Sequence, residues 1–138
     1  MEVLVAFAGL GSVALGIWHL GVAVWFHVRA AVERGGRRPL PHVRFAPVRY
    51  GTTARDVVAV VWVMNLAASY GLITIGIALL AAPLWAGTPG GRVVAFWIAG
   101  WWFVRAAAQI AFGRRRLDLL VMGVFAGLGA LSVWLAVR

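Results

Sequence analysis

Arg105 and Gln109 stand one helical turn apart in the run GWWFVRAAAQIAFGRRR, residues 100–116. The three arginines at its end suit an exit from an apolar environment, but Arg105 lies well inside the oily part. Arginine keeps its proton in proteins, so its guanidinium has to meet an anion, a neutral acceptor, a ring face or water. At the centre of a membrane span it costs about 2.5–3.5 kcal/mol. Trp101 and Trp102 precede Arg105 by four and three residues, a spacing that brings side chains together on a helix.

Three readings of Arg105 follow from these neighbours. The side chain snorkels towards an interface, with Gln109 and Asp118 or a lipid phosphate as partners. Alternatively it faces a pocket with His19, Asn65, Ser69 and Gln109 and takes a carboxylate, phosphate or carbonyl oxygen. In the third reading it rests on Trp101 or Trp102 as a cation–π pair.

His19 and His27 are eight residues apart on one stretch. In a helix that is about 12 Å along the axis and about 80° around it, so the two cannot ligate one metal. Haem b held by two histidines would need the second from another copy of the chain, and it stands as an alternative. Proton relay by a histidine would need a carboxylate partner. The chain has only Glu2, Glu33, Asp56 and Asp118, none inside an apolar span. Acid–base chemistry by paired carboxylates is therefore not expected. The absence of cysteine excludes disulfides and thiolate chemistry. No phosphate-cradling loop, dinucleotide fingerprint, H-E-x-x-H or nucleophile elbow is present. Binding is expected rather than catalysis, with no metal.

The elements that carry these residues are apolar spans. Hydrophobic residues make up 63% of the 138 and charged residues 12%, whereas soluble domains run near 45–50% and about 25%. Four stretches are long enough to cross a bilayer: Val3 to Val28, Val57 to Ala82, Val93 to Phe112 and Leu119 to Val137. Their apolar residues run continuously, without a period of two, which argues for helices. The expected fold is all-α: an integral membrane four-helix bundle forming one domain over 1–138. Its helices are expected at about 3–34, 54–82, 92–113 and 117–137, with a basic loop at about 35–53. The first apolar run exceeds a signal-peptide core and lacks a basic segment before it, so it is expected to remain as a span.

All thirteen basic residues are arginine and the net charge is +9. They cluster between spans and not on one soluble face, so nucleic acid is not an expected partner. Residues 29–56 hold seven arginines, residues 113–118 hold three, and the middle connection PLWAGTPGGR holds only Arg92. The positive-inside rule then puts the first and third connections in the cytoplasm and both termini outside, in the cytoplasmic membrane. Measured from the cytoplasmic ends, His19, Asn65 and Arg105 all lie roughly 10–14 Å deep, with Ser69 and Gln109 one turn away.

The basic loop, with Phe45 and Tyr50 among its arginines, offers a surface to anionic lipid head groups. Small residues mark packing faces: Gly9, Ser12, Gly16 and Ala23; Gly71, Thr74 and Ala78; and Gly123-x-x-x-Gly127 with Ala126, Gly129 and Ala130 beside it. The last of these also suits contact with a second copy or a partner membrane subunit. Trp18, Trp101 and Trp102 lie deep in their spans and are expected to pack against other helices. Two functions are carried forward. One is binding or transport of a small molecule, lipid or anion at the inner polar layer, through Arg105, Gln109, His19, Asn65, Ser69, Trp101 and Trp102. The other is a non-catalytic structural subunit of a larger membrane complex.

Overall fold

The computed structural model describes residues 2–25, 43–45, 48–50, 54–112 and 116–138. Within them the chain forms α1 (Glu2–Trp25), β1 (Val43–Phe45), β2 (Val48–Tyr50), α2 (Ala54–Leu80), a short α3 (Ala82–Trp85), α4 (Pro89–Phe112) and α5 (Arg116–Val137). Four helices contain stretches long and apolar enough to cross a membrane: Glu2–Gly21, Val58–Leu80, Pro89–Ile110 and Arg116–Val137. Large apolar side chains crowd their outer faces; Phe7, Met64 and Val104 are 70%, 65% and 69% exposed. Water would not tolerate so much open apolar surface, whereas lipid chains would cover it. The chain is an all-α, multi-pass membrane protein.

By its internal packing the chain divides into Met1–Leu10 with Ile75–Arg138, and Gly11–Thr74. In the first unit α4 and α5 form the main pair. On α4 the buried residues Gly91, Ala95, Ile98, Ala99, Trp102 and Ala106 recur at spacings of three and four. On α5 the matching stripe is Phe125, Gly129, Ser132, Leu135 and Ala136. A methyl group added at Gly129 would sit 2.8 Å from Phe103 Cε1, so the small residue is what lets the two helices approach.

The connection from α2 to α4 is built in detail. Trp85 Nε1 donates to the Ala78 carbonyl at 2.9 Å. Gly87 turns the chain with φ of +83°, a conformation that suits glycine. Thr88 Oγ1 accepts from the Gly91 amide at 2.9 Å and donates to the Trp85 carbonyl at 2.7 Å. Thr88 therefore caps α4, with Pro89 in the first helical position. This start is three residues earlier than the expected one near residue 92. The expected second helix, ending near residue 82, stops at Leu80 and α3 follows it.

In the second unit Gly16 of α1 meets α2. A methyl group there would lie 2.7 Å from Ile73 Cγ1 and 3.0 Å from the Ser69 carbonyl oxygen. The buried stripe of α1, Val5, Gly9, Ser12 and Gly16, contains the three small residues expected to pack. Ala23 falls among residues whose side chains are not described. β1 and β2 pair antiparallel, with Val43 opposite Tyr50, Arg44 opposite Arg49 and Phe45 opposite Val48. This hairpin lies within the basic loop expected at about 35–53. Valine and aromatic residues alternating around a two-residue connection favour a short hairpin.

On α5 the small-residue face packs through Gly129, whereas Gly123 and Gly127 have no atom among the described residues within 4 Å of where a side chain would begin. Trp18 is 48% exposed, with its ring edge-on to His19 at 6.4 Å. The expected extension of the first helix to residue 34, His27, most of the basic loop and the caps Thr52 and Thr53 lie outside the described residues.

Candidate functional site

Arg105 sits where it does because α4 buries one stripe and leaves its flank half open. Trp102 and Ala106 are on the buried stripe, 0% and 7% exposed. Trp101, Arg105 and Gln109, each one turn from the next, form a half-buried row beside it. A long side chain on that row can lay its stem on the α4–α5 seam. Its guanidinium carbon lies 5.6 Å from the Trp101 ring centre and 5.8 Å from that of Phe125 on α5. Phe125 was not singled out in the sequence, since one phenylalanine in a purely apolar helix carries no signal of its partner.

The rings are themselves tied together. Trp102 meets Trp101 edge-on at 5.0 Å and Phe125 in a tilted stack at 5.3 Å. Phe125 is thus shared by Trp102 and Arg105. Of the three readings, the ring-face contact is present with Trp101, one of the two tryptophans expected, and Phe125 adds a second ring. Among the described residues Arg105 makes no ion pair or hydrogen bond. Its Nε is buried without a hydrogen-bond partner, and so is the indole Nε1 of Trp102. Both are N–H donors and neither can accept. Two unmatched donors one turn apart on α4 define a place where an acceptor oxygen would be stabilised. Leaving such a donor unmatched costs about 1–3 kcal/mol.

No protein-family model, curated protein or solved structure matches this chain. The chemistry of the site therefore rests on its own residues.

The other expected site residues lie in the second unit. Ser69 is fully buried, and its hydroxyl donates to the Asn65 backbone carbonyl at 2.8 Å. That bond uses its only proton, leaving Ser69 able to accept and not to donate. Asn65 is 6% exposed and its side-chain Nδ2 has no hydrogen-bond partner among the described residues. Neighbouring Tyr70 is 75% exposed, turned to the outside. His19 is half-buried, one turn beyond Gly16 on the face that meets α2. His27 and His42 are outside the described residues, so His19 is the only histidine described. No group of three or more metal-ligating side chains occurs among the described residues.

Proposed function

We propose that this chain is a small multi-pass protein of the cytoplasmic membrane that binds an acceptor-bearing small molecule, lipid or anion on the α4–α5 pair. The observation that carries this is the pair of buried, unmatched donors, Arg105 Nε and Trp102 Nε1, beside the rings of Trp101 and Phe125. A guanidinium and an indole N–H select a carboxylate, phosphate or carbonyl oxygen and disfavour a cation. Gln109, on the same row as Arg105, is placed to widen the polar part of the site. The arginine-rich first and third connections support an orientation with those connections in the cytoplasm. In that orientation Arg105 lies in the inner half of its span. Transport is the extension of this reading in which the bound acceptor is released to the other side.

The test is native mass spectrometry of the whole protein released from mild detergent. Wild type retains a lipid or small anion, and Arg105→Met loses it while keeping its helical circular dichroism. Equal retention by both proteins removes Arg105 from the site and the proposal with it.

A second reading, the structural subunit, is favoured by a separate observation. Gly123 and Gly127 present an open face on α5 with no described residue against it. Glycine faces of this spacing allow two membrane helices to approach closely. Gly123→Leu with Gly127→Leu keeps the monomer fold and dissolves any assembly seen by crosslinking in the native membrane. Unchanged crosslinks mean that this face is simply covered by lipid.

A further inference from the structure

At the other end of α5, about 14 Å along the axis from Phe125, the first unit holds a cavity of about 130 Å³. Its walls are apolar and come from four helices: Val5 and Ala6 of α1, Leu79 and Leu80 of α2, Pro83 of α3 and Leu135 of α5. Its lining also includes one acid and one base, Glu2 and Arg138. They do not pair with each other. Arg138 rests its guanidinium 5.0 Å from the Trp134 ring centre, and Glu2 makes no ion pair among the described residues.

Each charge suits its own helix end, an acid at the start of α1 and a base at the end of α5. That does not account for an apolar cavity lined by both. The space is half open, so it seats one part of a larger molecule. Its enclosed volume is below the roughly 300 Å³ that drug-sized ligands need.

We infer that this cavity is a docking site for the head group of a zwitterionic phospholipid. Glu2 takes the primary ammonium, Arg138 the phosphate, and the leucine and valine walls take the first part of the glycerol and acyl region. Charge complementarity selects a molecule with both signs, and the apolar walls favour one with a tail over a free zwitterion. An anionic lipid satisfies Arg138 and is repelled by Glu2. This site is separate from the Arg105 site and does not depend on it.

The experiment is native mass spectrometry of the full chain titrated with phosphatidylethanolamine and phosphatidylglycerol in the same micelles. Wild type prefers phosphatidylethanolamine. Glu2→Gln lowers that preference about tenfold, the size of one charge-assisted hydrogen bond. Arg138→Gln weakens retention of both lipids. Both residues are exposed at helix ends, so the variants fold. As a second measurement, excess soluble phosphoethanolamine leaves the lipid bound. Equal retention of the two lipids by wild type, no effect of Glu2→Gln, or displacement by phosphoethanolamine would each overturn the assignment.

Discussion

Replacing Arg105 by methionine separates a ligand-binding arginine from a structural one, because the two roles predict opposite signs in the empty protein. Arg105 is five residues from Ile110, the end of the apolar stretch Pro89–Ile110, or about 8 Å along the axis. That depth puts the insertion cost at the low end of the range, about 2.5 kcal/mol. The Trp101 and Phe125 ring centres are 5.6 and 5.8 Å away, near the outer limit of about 6 Å, so each contributes about 0.5–1 kcal/mol. The two rings together leave the charge about 1 kcal/mol short of compensation. Methionine keeps much of the stem, carries no charge and fills irregular space well. In delipidated protein Arg105→Met is therefore expected to be as stable as wild type or about 1 kcal/mol more stable.

Adding the retained ligand reverses the order. At one hundred times its Kd the ligand stabilises wild type by about 2.7 kcal/mol, and the variant gains almost nothing. The assay is reversible unfolding in mixed micelles titrated with dodecyl sulfate, followed by far-ultraviolet circular dichroism, with and without added lipid extract. A loss of 3 kcal/mol or more in the delipidated variant is the size expected when one member of a buried charge pair is removed. That outcome would show that Arg105 holds the fold through a bonded partner, and the binding argument would fail.

Further tests bear on the donors and on the packing that positions them. Trp102→Phe removes the unmatched indole N–H and keeps a ring on Phe125, so it should leave thermal stability within about 1 kcal/mol while weakening the retained ligand about tenfold, read by native mass spectrometry. A side chain at Gly91 collides with the Trp85 carbonyl, whereas Gly90 has open space; Gly91→Ala should lower stability by about 1–3 kcal/mol, and Gly90→Ala should be neutral or slightly stabilising in the same melt. Gly16→Val drives a branched side chain into Ile73 and the Ser69 carbonyl, while Gly11→Val meets nothing. The first should weaken α1–α2 packing by about 1–3 kcal/mol and the second should not, with protease resistance in micelles as the readout.

The four membrane-length helices were readable because lipid imposes a length and a composition on each span, and both are written continuously along the chain. The α1 face was readable for a related reason: Gly9, Ser12 and Gly16 recur at the period at which helices meet. On α5 the same logic marked Gly123-x-x-x-Gly127 with Gly129 beside it, and of these it is Gly129 that approaches α4, because what fixes the seam is Phe103 on the facing helix and not the spacing on one helix. Pattern shows that a face exists. Only the partner shows which face is used.

Arg105 illustrates the same limit at the level of chemistry. Its position in an apolar run makes it conspicuous, and the reach of Trp101 follows from a four-residue step. Phe125 is twenty residues away on another helix, and nothing in its own surroundings in the sequence ties it to Trp102, whose ring it meets at 5.3 Å. The unmatched donors become visible only when α4 and α5 are seen together. The cavity beside Glu2 and Arg138 is a stronger case, since the two charges are separated by nearly the whole chain and each looks like an ordinary helix-end residue. A sequence reading weights charges by how much they cost where they stand, so it finds Arg105 and passes over charges at the ends of spans. What gives the end charges a role is the apolar space between them, a property of four helices and of no single one.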